Sequence, residues 1–346
     1  MPRPEIYLDH AATCPVLPEV RDTVAAALGE WRNPSSVHAA GRRARAQLEE
    51  ARARVATALG WTGEVIFTGG ATEALAIAWN RTRGTRKWAS AVEHTAVLRF
   101  AGEALLAVDV DGLVDPDAVP EADLVAVMQV NNETGVVQPL DAIAARVRAG
   151  GALLLADCAQ GVGKLALPDA DLIAVAGHKF GAPPGVGALL VRDLAMLAPS
   201  GGQERGYRPG TENLPYILGL ATALEADRGW VEGAGLLRAW FDGEMLALGA
   251  EVIAGGADRV PTIGAYRLPG TGAAGLLIRA DAAGIAISAG SACASGSIKP
   301  SHVMMAMGLD EAVAREVFRV SIGRGTTRAD LEALLGVVRG AAQRAA

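Results

Sequence analysis

The chain has 346 residues, of which 51% are hydrophobic, 20% charged and only 4% aromatic, a proportion that fills the cores of one or two globular domains. Lys plus Arg total 32 against 38 for Asp plus Glu, giving a formal net charge of −6 and a pI of about 5.5, which argues against a basic nucleic-acid platform. Gly at 42 and Pro at 17 follow no period, so collagen-like and disordered classes are excluded.

The first segment, MPRPEIYLDHAATCP, lacks the apolar centre of a secretory signal, and no run in the chain approaches the roughly 20 apolar residues of a membrane span. Cys14, Cys158 and Cys293 are far apart and form no CxxC or Cys/His cluster, which points away from a disulfide framework and from a zinc site. The expectation is a soluble cytoplasmic protein.

Between residues 40 and 59, Ala44, Leu48, Ala51, Val55 and Leu59 recur about one helical turn apart among arginines and glutamates, which predicts an amphipathic helix. EVIFT at Glu64–Thr68 predicts a strand, Gly69 and Gly70 a turn, and Ala71–Trp79 a helix, the start of an α/β alternation. Apolar runs at Leu124–Val130, Ala152–Ala156, Leu172–Ala176 and Gly187–Val191 suit strands buried on both faces of a mainly parallel sheet. A helical pattern covers about Tyr216 to Leu248, and strand-like runs follow at Glu251–Ile253 and Phe318–Ile322. The expected fold class is α/β, with a large domain at residues 14–230 and a smaller α+β domain made of residues 1–13 and 231–346.

Of the four lysines, Lys87, Lys164 and Lys299 look ordinary, while Lys179 ends the buried run DLIAVAGHK before the Gly/Pro-rich FGAPPGVG. A lysine leaving the carboxyl end of a parallel strand faces the crevice where α/β sheets bind ligands, although a strand-end lysine snorkelling to water gives the same pattern. Asp157 ends the run ALLLAD, with Gln160 close behind. An amine able to form a Schiff base and a carboxylate able to hold a cationic ring nitrogen are the two groups pyridoxal phosphate requires, but Asp157 is equally compatible with a helix cap. The turn TGGATE at Thr68–Glu73 offers backbone N–H groups and the Thr72 hydroxyl at a helix start, a phosphate cradle or a plain tight turn.

Together these segments resemble the NifS-type cysteine desulfurases, group I, pyridoxal-phosphate enzymes of the class V aminotransferase family. The resemblance rests on YLDHAAT (Tyr7–Thr13), NPSSVH (Asn33–His38), FTGGATE (Phe67–Glu73), Glu93-His94, NNETG (Asn131–Gly135), Asp157 to Gln160, His178-Lys179 and GGQERG (Gly201–Gly206). It implies the aspartate aminotransferase-like fold type I, with Lys179 as the Schiff-base lysine and Asp157 as partner of the ring nitrogen. Gln160 and Asn132 would contact the ring-hydroxyl side, and His94 would stack on the ring and share in proton transfer. Ala71, Thr72 and His178 would hold the phosphate, with Thr211 reaching in from the other subunit of a homodimer. Where members commonly carry Ser two residues before the His-Lys pair, this chain has Ala176, one hydroxyl donor fewer.

Cys293 lies in SAGSACASGS at Ser288–Ser297, a run of small residues without apolar periodicity. Such a run reads as an exposed loop, where a thiolate can attack or where a surface thiol can simply sit. SACAS with the step to Pro300 resembles the long catalytic loop of the group I enzymes, which implies that Cys293 is the nucleophile. Alternation in FRVSI places Arg319 opposite Phe318 and Val320, and a planar guanidinium suits an α-carboxylate; the resemblance implies the same role, with Asn33 beside it. The implied activity converts L-cysteine to L-alanine and leaves a persulfide on Cys293 for an acceptor such as an iron–sulfur scaffold, or for thiolation chemistry. A selenocysteine lyase or cysteine sulfinate desulfinase, a class V aminotransferase and an inactive scaffold of the same fold are the alternatives. Cys14 and Cys158 read as structural.

Overall fold

The structure is a computed structural model that describes residues 6–30, 32–290 and 300–345, with side chains to residue 343. In chain order it contains β1 (Ile6–Tyr7), α1 (Pro18–Gly29), α2 (Ala39–Leu59), β2 (Glu64–Thr68), α3 (Ala71–Arg81), β3 (Lys87–Ser90), α4 (Thr95–Ala101), β4 (Leu105–Leu106), β5 (Leu124–Ala126), α5 (Leu140–Ala149), β6 (Leu153–Asp157), β7 (Leu172–Ala176) and β8 (Gly187–Val191). There follow α6 (Leu214–Glu225), α7 (Trp230–Ala247), β9 (Glu251–Val252), β10 (Ile263–Arg267), α8 (Ala273–Ala282), β11 (Ile285–Ala286), α9 (His302–Ala306), α10 (Glu311–Ala314), β12 (Val317–Ser321) and α11 (Arg328–Ala345). None of the helices is long and apolar enough to cross a membrane, as judged over the described residues.

Seven strands form one sheet in the order β2-β8-β7-β6-β5-β3-β4. The pairs β3–β4, β3–β5, β5–β6 and β6–β7 are parallel, whereas β8 runs antiparallel to both of its neighbours. Residues 177–186, which join β7 to β8, are too few for the crossover that a parallel return needs, so β8 comes back reversed. Helices cover both faces, and every residue of β7 and β8 is buried, as the continuous apolar runs require.

Local chemistry fixes the ends of the helices. His38 caps α2 by accepting from the Gly41 N–H at 3.2 Å, and α2 ends at Gly60 with φ 63°, a left-handed conformation that a glycine adopts without steric cost. The helical pattern from Tyr216 to Leu248 divides into two helices because Ala226 is extended, with ψ 147°.

A second core is drawn from both ends of the chain, with Leu8, Phe241, Tyr266, Phe318 and Leu334 among its buried members. The ring centroids of Phe241 and Tyr266 lie 5.3 Å apart, and those of Tyr266 and Phe318 5.8 Å, within the range of favourable aromatic pairs. Strands β12, β10 and β9 form its antiparallel sheet, and β1 pairs with β11. This pairing carries residues 8–13 from the second core directly to the carboxyl ends of β6 and β7.

Candidate active site

The carboxyl ends of β6 and β7, the turn before α3, the start of α4 and residues 9–12 enclose a cavity of about 840 Å³, completed by Ser288, Gly290, His302 and Arg319. Ligands of open α/β sheets bind at this end of the strands. Lys179, Asp157, Gln160, His94, Asn132, Ala71, Thr72, His178 and Arg319 all line the cavity. Asn33 and Thr211 do not: both are exposed, and the Asn33 Oδ1 accepts from the Ser35 N–H at 2.8 Å. Cys293 lies outside the described residues; Gly290, three positions before it, lines the cavity.

Lys179 follows β7 by one tight turn, and its Nζ donates to the carbonyls of Ala11 at 2.6 Å and Ala12 at 2.8 Å. Burial, then the neighbouring cations Arg319 and Lys164, lower its pKa to about 8, so a large share of the amine is neutral in mildly alkaline solution. Asp157, the last residue of β6, accepts from the Ala159 N–H at 2.9 Å and has no ion-pair partner among the described residues. Burial raises its pKa. A cation placed in the cavity beside it would remove that penalty.

His94 caps α4, its Nδ1 accepting from the Ala96 N–H at 3.1 Å, which leaves the proton of the neutral ring on Nε2. Burial lowers its pKa. Just before it, Glu93 is fully buried and accepts from the Met128 N–H, while its Oε2 has no partner. Burial, with Asp157 adding to it, raises the Glu93 carboxyl well above its ordinary range.

At the opposite end, Gly70 has φ 149° and leads into α3, so Ala71 and Thr72 present the first turn of the helix to the cavity. The free N–H groups and dipole of a helix start favour an anion. Glu73 occupies part of this turn, accepting from the Gly69 N–H and, at 2.9 Å, from Arg208 Nε. Gly187 is required here because a Cβ would stand 2.3 Å from the Val175 carbonyl and 2.7 Å from Gly70 Cα. His178 pairs through Nδ1 with the Thr13 hydroxyl at 3.1 Å; burial and then Lys179 bring its pKa to about 4. The Ala176 methyl faces the cavity where the family pattern has a hydroxyl.

Arg319 projects from β12 into the cavity while Phe318 and Val320 pack into the second core. Its Nη1 donates to the Asn132 carbonyl and its Nη2 to Asp9 Oδ1, both at 2.7 Å, and its Nε has no partner. The carboxylate of Asp9 therefore already occupies one edge of the fork, a partner that no spacing in the sequence reveals. Glu133, likewise unread from the sequence, accepts from the Ser301 hydroxyl, and burial raises its pKa. Cys158 is buried in the core under the sheet, and the Cys14 thiol donates to the Lys179 carbonyl at 3.1 Å.

An amine and a buried carboxylate on neighbouring strand ends, opposite a helix N-terminus in one cavity of this mixed sheet, define a protein of the fold-type I transferase architecture. The chain belongs to the aminotransferase class-V family, whose profile matches residues 6–334. It is similar to an IscS-like cysteine desulfurase of Mycobacterium tuberculosis, at 38% identity across 98% of this chain and 96% of that protein. The X-ray structure of a NifS-like protein from Rickettsia africae resembles it with a TM-score of 0.89 at 27% identity, covering 97% of this chain and 99% of the other. SspA in complex with cysteine does so with a TM-score of 0.80 at 28% identity, over 93% and 100%.

Proposed function

We propose that this chain is a pyridoxal-phosphate-dependent L-cysteine desulfurase that works as a homodimer and passes sulfur from Cys293 to a protein acceptor such as an iron–sulfur scaffold. The observation that carries the reading is the placement of Lys179 and Asp157 at adjacent strand ends in a single 840 Å³ cavity. The residues present fit the cofactor: Asp157 is a buried carboxylate without a cation, Lys179 an amine of depressed pKa, and the start of α3 an anion-binding end. In this reading Lys179 holds the aldehyde carbon, Asp157 the ring nitrogen, Gln160 and Asn132 the ring-hydroxyl side, His94 the ring face, and Ala71, Thr72 and His178 the phosphate. Thr211 of the partner subunit completes the phosphate site. The large domain spans residues 14–230, and residues 1–13 with 231–346 form the smaller one that brings Arg319 and Cys293.

Bound there, pyridoxal phosphate supplies an electron sink beside the substrate Cα. Once the substrate amine has taken its place at the cofactor, the freed Lys179 amine would take the Cα proton, which its lowered pKa permits. Arg319 orients the substrate carboxylate through the donors that Asp9 and Asn132 leave free; Asn33 lies outside this chain's cavity and takes no part in that step within one chain. The Cys293 thiolate attacks the substrate sulfur: an S–S bond forms, the Cβ–S bond breaks with its electron pair going to carbon, and protonation there yields alanine.

The test is a visible spectrum of the purified protein before and after L-cysteine, with alanine and sulfide assayed in the same tube under a thiol reductant. A yellow cofactor band that changes with cysteine, and alanine formed in step with sulfide, is expected. A band that converts only with another amino acid and a keto acid would make the chain an aminotransferase, and a colourless protein that takes up no cofactor would overturn the reading. Cys293→Ala keeps the band and stops sulfide release.

A further inference from the structure

We propose that Lys164, which lies behind the cavity wall, is a positioning residue that fixes the Gln160 side-chain amide with its nitrogen toward the cavity and its oxygen away. The inference rests on the cofactor reading given above. After β6 the chain makes a tight helical turn, with Val162 N–H bonded to the Cys158 carbonyl at 3.0 Å and Leu165 N–H to the Gly161 carbonyl at 2.8 Å. Within that turn Gly163 has φ 81°, and the chain folds back so that Lys164 lies beside Gln160. Lys164 Nζ donates to the Gln160 main-chain carbonyl at 3.0 Å and to its Oε1 at 3.4 Å.

An ammonium only donates, so the amide atom that faces it must be oxygen. The amide NH₂ then lies on the other side, where it donates to the Ala11 carbonyl at 2.8 Å. The same carbonyl receives the Lys179 Nζ at 2.6 Å, so the two side chains are registered on one acceptor. Flipping the amide would set N–H against ammonium on one side and oxygen against a carbonyl on the other, losing both bonds. Of the two amide N–H groups Ala11 takes one, and the other is left for an acceptor oxygen on a bound ring.

Lys164 has no ion-pair partner among the described residues, and burial lowers its pKa. An unpaired ammonium is a poor choice for filling space, since an apolar residue of that length packs there at less cost. Its presence is accounted for by what it does to Gln160.

The test is a double-mutant cycle on the affinity of the apo-protein for pyridoxal phosphate, with Lys164→Met, Gln160→Ala and the double variant. Lys164→Met is expected to weaken binding about two- to ten-fold, the span of an ordinary hydrogen bond. The double variant should bind no more weakly than Gln160→Ala, because one residue acts through the other. The pH midpoint of the bound cofactor's visible band should also rise in Lys164→Met, since a lost cation no longer favours the less positive form. Arg319, Asp157, Cys14 and His94 remain unchanged around it. Should Lys164→Met fail to fold, Lys164→Gln, whose amide still donates, is expected to keep most of the affinity. Wild-type affinity and midpoint in Lys164→Met, or losses that add in the double variant, would overturn the proposal. Failure of the wild-type protein to bind the cofactor would instead overturn the functional reading on which it rests.

Discussion

The Lys179 amine is held under the carbonyls of Ala11 and Ala12, with Arg319 and Lys164 as neighbouring cations. Burial and those cations bring its pKa from 10.5 to about 8. The unfolded chain therefore keeps this proton up to about 10.5 and the folded apo-protein only to about 8, so the group disfavours folding below pH 8 and that penalty fades between 8 and 10.5. The same shift governs reactivity. In the apo-protein, labelling of Lys179 by an amine reagent, followed by peptide mapping, is expected to rise through about pH 8. A midpoint near 10.5 would show that the site does not activate the amine. Arg319 argues from geometry instead: its fork holds the Asn132 carbonyl and Asp9 at once. Arg319→Lys can satisfy one of them at a time, and the bond lost involves a charged donor, so a destabilisation of about 1.5–3 kcal/mol is expected by urea unfolding, with a lower kcat/KM for cysteine. The face on which Arg319 lies was legible from strand alternation. Its partner was not, because Asp9 is 310 residues away and one aspartate in a motif looks like any other.

Among the elements, the strands read well where both faces are buried: EVIFT, LIAVA and GALLV coincide with β2, β7 and β8. The run at Leu124–Val130 outlasts β5, which ends at Ala126, yet Val127 N–H still bonds to the Leu155 carbonyl and Gln129 N–H to the Asp157 carbonyl. The apolar pattern thus followed the hydrogen bonding, and only the ladder's formal end differs. What hydrophobic patterning does not encode is how an edge strand is protected. The outer edge of β2 is closed by a buried ion pair: Glu204 accepts from Phe67 N–H and from both terminal nitrogens of Arg52, which also donates to the Val65 carbonyl. Arg52 belongs to α2, where its charge blended into an apparently solvated face. Glu204 sits in a turn with φ 46°, followed by Arg205 at φ 58°, left-handed conformations that such residues rarely adopt. Glu204→Ala leaves the Phe67 N–H without an acceptor and the buried Arg52 with Glu49 as its remaining ion-pair partner, whose Oε2 takes its Nε at 3.0 Å. A loss of about 1–3 kcal/mol is expected by urea unfolding, the cost of buried donors left without their acceptor, partly recovered when Arg52→Met removes the guanidinium that Glu49 alone then pairs. A loss below about 1 kcal/mol would mean that water enters to replace the carboxylate.

At the scale of the molecule, the cavity gathers residues from Asp9 to Arg319, because β1 pairs with β11 and carries the N-terminal segment across to the seven-stranded sheet. Two of the residues that the family resemblance singled out, Asn33 and Thr211, lie outside the cavity of their own chain; the resemblance implies that Thr211 reaches into the partner's cavity, whereas hydrophobic patterning alone carries no such information. If Thr211 serves the partner's phosphate site, activity must depend on how defects are distributed between subunits. Lys179→Ala removes the amine, and Thr211→Glu sets a negative charge where a phosphate would lie, so each homodimer should be nearly inactive. Mixed by unfolding and refolding at equal amounts, about half of the dimers are hybrids, and each hybrid has one cavity with an intact Lys179 and an intact Thr211 from the other chain. Roughly a quarter of wild-type activity should return in the mixture. If Thr211 serves its own cavity, every site in the hybrid carries one of the two defects and none returns. Isolating the hybrids with two affinity tags raises the expected recovery to about half, which separates complementation from residual activity of either parent.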